Sequence, residues 1–125
     1  MRVVFFGTPE FAVPSLDALV GAPAVEVVAV VTQPDRPGAR SHSTHVSPPV
    51  KLRALSFGIP VLQPDRPRGA PFLDQLAALR PDLGVVVAYG HILRPEVLAI
   101  PRLGMVNVHG SLLPKNPAIS DFLIG

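Results

Sequence analysis

Asn107 and His109 stand one residue apart at the end of an apolar run, and no other pair of side chains in the sequence is better placed to do chemistry. Across Gly104-Met105-Val106-Asn107-Val108-His109 polar and apolar residues alternate. Strand side chains point to opposite faces with a period of two, so Asn107 and His109 share one face, roughly 6.5 to 7 Å apart, and Val106 and Val108 share the other. An amide that donates a hydrogen bond, beside an imidazole that titrates near neutrality, suits reaction at a carbonyl carbon passing through a charged tetrahedral intermediate. A histidine at a strand end is by itself commonly structural. The amide on its face and the loop Gly110-Ser111-Leu112-Leu113-Pro114 behind it are what single this one out.

The elements that must position this pair alternate between strand and helix. Arg2 to Phe6 is a short apolar run cut by Gly7, after which Thr8 is placed to cap a helix beginning at Pro9, with Phe11, Ala12, Leu16, Leu19 and Val20 at helical spacing. Val25 to Thr32 is a β-branched run of the kind covered on both faces. A strand, helix, strand unit implies a parallel pair with a crossover. Gln33 to Ser47 has no periodicity and forms a loop of about fifteen residues, a length that in compact domains tends to be functional. Ser47 precedes Pro48 and Pro49 as an N-cap for a short helix stopped by Gly58, and Ile59 to Leu62 follows as a short strand. Helical spacing returns at Phe72, Leu73, Leu76 and Leu79, then a fully apolar strand at Leu83 to Ala88, at most a short helix at Pro95 to Ile100, and the final strand at Met105 to His109. Five strands separated by helices predict a doubly wound, Rossmann-like parallel α/β sheet with Leu83 to Ala88 flanked by Arg2 to Phe6 and Met105 to His109. Ligands bind such sheets beyond the carboxyl ends of the strands.

Composition narrows the class. The chain has 125 residues, 48% of them hydrophobic and 16% charged, enough for one domain with a real core. Its apolar stretches are too short to cross a bilayer or to act as a signal peptide, so no membrane partner is expected. The absence of cysteine removes a disulfide framework and fits a cytoplasmic protein. His42 and His45 have no third ligand nearby, and no metal is expected. Net charge is only +2, but Arg36, Arg40, Lys51 and Arg53 face Asp35 alone between Gln33 and Arg53. That excess could meet phosphate or form a solvated loop. The first turn has a single glycine and lacks the spaced glycines of a dinucleotide site.

Five segments together carry a resemblance: Phe6-Gly7-Thr8-Pro9-Glu10-Phe11, Thr32-Gln33-Pro34-Asp35-Arg36-Pro37, Ser47-Pro48-Pro49-Val50-Lys51, Val87-Ala88-Tyr89-Gly90, and Asn107 to Pro114. In order and spacing they resemble the N-terminal domain of the methionyl-tRNA formyltransferase branch of the 10-formyltetrahydrofolate-dependent formyltransferase family. The Gln-Pro-Asp-Arg-Pro segment favours that branch over the glycinamide ribonucleotide branch. The resemblance implies a cytoplasmic, monomeric transferase of translation initiation and one-carbon chemistry. It would move a formyl group from 10-formyltetrahydrofolate to the amino group of initiator methionyl-tRNA. It also implies that Asn107 and His109 are catalytic, and that Ser111, Leu112, Leu113, Pro114, Tyr89, Gly90 and Ile92 contact the folate. By the same resemblance, the long loop with Arg36, Arg40 and His42 approaches the tRNA acceptor end.

The family pattern further implies a catalytic aspartate and a C-terminal β-barrel that grips tRNA, and residues 1–125 offer a counterpart to neither. The chain therefore reads as one partial N-terminal domain, its sheet incomplete at the C-terminus, that turns over poorly alone. Asn116-Pro117-Ala118-Ile119 stands where the family has an aromatic-arginine-glycine-alanine run, and Asp121 matches no family carboxylate. Ser41 to His45 replaces a basic, glycine-containing run. Three other readings stand beside the enzyme: an inactive folate-binding remnant, another 10-formyltetrahydrofolate-dependent formyltransferase, and a generic nucleotide-binding α/β module, which the single glycine of the first turn and the amide-imidazole pair both disfavour.

Overall fold

The computed structural model describes residues 1–37 and 45–108. In chain order the elements are β1 (Arg2–Gly7), a 3-10 turn (Glu10–Ala12), α1 (Val13–Val20), β2 (Glu26–Val31), β3 (Arg36–Pro37) and β4 (His45–Val46). They continue with α2 (Pro49–Ser56), β5 (Val61–Leu62), α3 (Ala70–Ala78), β6 (Leu83–Val87), α4 (Pro95–Leu98) and β7 (Met105–Asn107). Five strands form one sheet in the order β5-β2-β1-β6-β7, and every pairing in it is parallel. This is the doubly wound α/β sheet expected from the alternation of apolar strands and amphipathic helices. The strand β6 is flanked by β1 and β7, as its unbroken hydrophobicity requires, while β1 holds the centre.

Each strand feeds two cores. Val3, Phe5, Val85 and Val87 pack with Leu16 of α1 and Val50 and Ala54 of α2 on one face. Val4, Phe6 and Val86 pack with Phe72 and Leu76 of α3 and Val97 of α4 on the other. Between Val3 and Val4 the register against β2 slips, so that Val27 opposes Val3 but Ala29 opposes Val4. The extra residue, Val28, reverses the parity of β2 and brings Val30 to the α1/α2 core and Val31 to the α3/α4 core.

Three local expectations change. The helix does not begin at Pro9: Ala12 N–H donates to the Pro9 carbonyl at 2.9 Å in a 3-10 turn, and α1 starts at Val13. Pro14 has no N–H to give a helix begun at Pro9 and so belongs in the first turn, which leaves Phe11 outside the buried stripe and 51% exposed. Neither Thr8 nor Ser47 caps a helix; the residues preceding the first turns are Pro9 and Pro48, without side-chain caps. Ser47 has little to cap, because Pro48 and Pro49 carry no N–H. The long loop, finally, is not wholly irregular, since β3 and β4 pair antiparallel at its two ends, Arg36 with Val46 and Pro37 with His45.

Gly7 ends β1 because nothing larger fits. A Cβ there would lie 2.7 Å from Phe5 Cε2, 2.9 Å from the Val87 carbonyl and 3.2 Å from Ala12 Cβ. Backbone on one side and a packed ring on the other leave little room to yield. Gly7→Ala is expected to cost about 1–3 kcal/mol through overpacking. Urea unfolding should show a lower midpoint at unchanged slope, and an unmoved midpoint would mean that the three neighbours can make way.

Candidate active site

The carboxyl ends of β1, β2 and β6 are knotted by one acceptor. The carbonyl of Tyr89 accepts from Thr8 Oγ1 at 2.8 Å and from Gln33 Nε2 at 3.0 Å. Thr8 Oγ1 in turn accepts from the Gln33 N–H at 3.4 Å. The turn so held is a strained one: Ala88 has φ 52° and Gly90 has φ 100°. A left-handed alanine costs roughly 1–2 kcal/mol, and the two hydrogen bonds with the packing of Tyr89 offset it. A Cβ on Gly90 would overlap Gln33 Nε2, so position 90 is closed to any side chain while Gln33 holds its bond.

Asn107 ends β7 level with Val86 of β6. Val106 and Val108 pack on the α1/α2 core and Met105 on the α3/α4 core, which puts Asn107 on the α3/α4 side as the alternation predicts. It lines a cleft of about 350 Å³ with Val86, Ala88, Tyr89, Gly90 and His91. The structure thus brings Asn107 together with Tyr89 and Gly90, residues 17 to 18 positions away in the chain. Ile92 is 91% exposed and borders a neighbouring hollow instead. His109, Ser111, Leu112, Leu113 and Pro114 lie outside the described residues, as do Arg40 and His42.

The Tyr89 ring turns inward. It meets Phe6 edge-on at 5.5 Å and His91 at 5.4 Å, and its hydroxyl is buried without a partner among the described residues. Burial pushes that phenol up to about 12, so it stays neutral across the physiological range. What Tyr89 offers the cleft is mainly its backbone.

Two features escaped the sequence reading. Arg66, Arg68 and Arg94 meet with His91, Gly90 and Ile92 around a hollow of about 580 Å³ beside the Asn107 cleft. These cations, from two separate connections, suit a carboxylate or phosphate group. The proline and arginine content of residues 63–71 was the one hint. The second feature is the base of the long loop, where Asp35 accepts from Gln63 Nε2 at 2.7 Å, from Lys51 Nζ at 3.1 Å and from Ser47 Oγ at 3.1 Å. Gln63 Nε2 also donates to the Gln33 carbonyl at 3.1 Å, joining this cluster to the Tyr89 knot. The Gln63 bond above all, then Lys51, holds the Asp35 carboxyl below its ordinary 3.8. Arg36 begins β3 on this base and is exposed. Among the described residues no three His, Asp or Glu side chains gather to hold a metal, and no helix is long and apolar enough to cross a membrane.

The sequence and the fold both match those of known proteins. The family model described as formyl transferase matches residues 1–120. Methionyl-tRNA formyltransferase of Synechococcus elongatus is 58% identical over 115 residues, 91% of this chain and 35% of that protein. The protein of the same name from Roseiflexus sp. is 56% identical over 114 residues, with the same shares covered. The chain therefore spans about a third of the length of the curated relatives it matches. Among solved structures, phosphoribosylglycinamide formyltransferase from Bacillus halodurans superposes with TM-score 0.59 at 27% identity, covering 92% of this chain and 59% of that one. Glycinamide ribonucleotide transformylase 1 from Geobacillus kaustophilus gives TM-score 0.61 at 26% identity, covering 96% and 63%.

Two outcomes follow from this crest, the edge where the carboxyl ends of the strands and their hydrogen bonds meet. Gly90→Ala should break the Gln33–Tyr89 bond and lower stability by about 1–3 kcal/mol, since the left-handed φ and the overlap both oppose it. Thermal unfolding checks this, and a double variant with Gln33→Ala should recover the part due to overlap. Asp35→Asn should lower stability at pH 7. Because the folded carboxyl lies below its ordinary value of 3.8, the wild-type advantage is full above that pH. It is lost as pH falls through the depressed folded value. Denaturation curves of the two proteins should converge in acid, and a gap that persists at pH 2 would assign the effect to shape and not charge.

Proposed function

The chain belongs to the formyl transferase family, and from that membership we propose that it forms the reaction centre for moving a formyl group from 10-formyltetrahydrofolate to the α-amino group of methionine esterified to initiator tRNA. The observation that carries this reading is the much higher identity to methionyl-tRNA formyltransferases than to the glycinamide ribonucleotide enzymes that share the fold. On this reading the protein works with translation in the cytoplasm.

In the reaction the amine lone pair forms a bond to the formyl carbon, and the carbonyl electrons move onto oxygen. Asn107, at the strand end and facing the cleft, donates its side-chain N–H to that oxygen as it becomes charged. The tetrahedral intermediate then collapses: the bond from carbon to N10 of the folate breaks, N10 takes a proton, and the amine loses one. His109, which the period-two alternation of the sequence assigns to the same face, stabilises the oxyanion and manages that proton traffic. The folate lies along the turn at Tyr89, Gly90 and Ile92, and the sequence motif Ser111, Leu112, Leu113 and Pro114 supplies further folate contacts. Arg66, Arg68 and Arg94 meet its glutamate carboxylates. Arg36, Arg40 and His42 serve the tRNA acceptor end, where arginine pairs with phosphate.

An amide that serves mainly the transition state and a turn that serves binding should separate in mutants. With the expressed protein, Asn107→Ala should lower the rate of formyl transfer to methionyl-tRNA by about 10²–10³-fold. Its dissociation constant for a folate analogue, by calorimetry, should stay within about twofold of wild type. Gly90→Ala should instead weaken the analogue. An Asn107→Ala protein that keeps its turnover, or a wild type that binds no folate analogue, would overturn the assignment.

A further inference from the structure

Gln63 follows β5 at the edge of the sheet, yet its side chain grips the segment that leaves β2. One nitrogen, Nε2, donates to two acceptors there, the Gln33 carbonyl at 3.1 Å and Asp35 Oδ1 at 2.7 Å. An amide nitrogen carries two hydrogens, one for each. A backbone carbonyl and an ionised carboxylate only accept, so the Gln63 amide can be turned in this sense alone. Between the two acceptors stands Pro34, whose φ is fixed and which has no N–H of its own to bond. With Pro9, Pro48 and Pro49 it walls a hollow of about 220 Å³ across Thr8 from the Asn107 cleft. The chain leaving β2 is thus clamped on both sides of Pro34 by a side chain from another strand.

The two clamped residues lead in different directions. Gln33 holds the Tyr89 carbonyl, on the turn that lines the Asn107 cleft. Asp35 gathers Ser47 and Lys51 and runs directly into Arg36, the first residue of β3. Gln63 itself lines neither the Asn107 cleft nor the arginine hollow, so whatever it does there it does through Gln33 and Asp35. No neighbouring residue type substitutes for it. Glutamate has no N–H and would set a second carboxylate against Asp35, asparagine is one methylene too short to span both acceptors, and methionine fills the space without a donor.

We propose that Gln63 is a positioning residue for both substrates: by clamping the exit of β2 it holds the folate turn and the phosphate-facing Arg36 in one frame. The proposal rests on the formyl-transfer reading of the Asn107 cleft. One side chain then answers for two affinities that separate ligands report.

Calorimetry of the expressed protein with a folate analogue, and its binding to methionyl-tRNA, test this. Gln63→Met keeps the length of the side chain and removes both donors, and it should weaken each ligand about fivefold. Gln33→Ala should weaken only the folate analogue, and Arg36→Ala only the tRNA. Combined with Gln33→Ala, Gln63→Met should add nothing further to the folate loss, because both act through the one bond to the Tyr89 carbonyl. In ¹⁵N spectra the folate analogue should shift the amides of Ser47 and Lys51 in the wild type and leave them unmoved in Gln63→Met. Gln63→Asn takes its place in every measurement if the methionine variant fails to fold. A variant that unfolds earlier yet keeps both affinities, a loss confined to one ligand, additive folate losses, or shifts that survive the substitution would each overturn the role. A wild type that binds no folate analogue or no methionyl-tRNA sinks the formyl-transfer reading instead, which keeps the two failures apart.

Discussion

The carbonyl oxygen of Tyr89 accepts from Thr8 and from Gln33, and so fastens the ends of three strands that share no covalent connection nearby. A single backbone acceptor with two donors is a strict constraint, because moving any of the three strands along its axis breaks at least one bond. The strained φ of Ala88 and Gly90 persists for the same reason. Burial of the Tyr89 ring against Phe6 anchors the turn from below. Position 90 must be glycine, because Gln33 reaches the carbonyl through the space a side chain would take.

From this knot the polar network runs outward along the crest. Gln33 is held through its carbonyl by Gln63, Gln63 also donates to Asp35, and Asp35 gathers Ser47 and Lys51. The turn beside Asn107 and the base of the long loop are thus ends of one chain of hydrogen bonds. The bonds to Asp35 are charge-assisted and therefore stronger than neutral ones. A crest built this way presents two spaces on either side of Thr8, one lined by Asn107 and one walled by proline. Cations collect on the far side of the amide cleft, around His91 and Ile92.

The sheet beneath explains why the crest is level. Five parallel strands bring all their carboxyl ends to one edge, and the alternation in β1, β6 and β7 divides their side chains between two helix layers. The bulge at Val28 corrects the parity of β2 so that Val30 and Val31 reach the layers that need them. Without that extra residue Thr32 and Gln33, which follow β2, would be turned to the opposite faces, and Gln33 could not reach Tyr89.

The sequence by itself determined whatever depends on neighbours in the chain. Apolar runs at Arg2–Phe6 and Leu83–Val87 are strands because a β-branched, uncharged run has to be covered on both faces. Asn107 opposes Val106 and Val108 because the strand period is two. The five motifs identified the family for the same reason, since each is a local string. Tertiary structure alone decided the partners. Thr8 lies 81 residues from the carbonyl it bonds and Ser47 lies 12 from Asp35, so two hydroxyls that look like helix caps serve the crest instead. The inward turn of Tyr89, the meeting of Arg66, Arg68 and Arg94, and the proline-walled hollow likewise arise from segments whose separation in sequence carries no signal of their contact. Hydrogen-bond donors take the nearest acceptor in space, and local pattern fixes only which residues leave the strand ends free to find one.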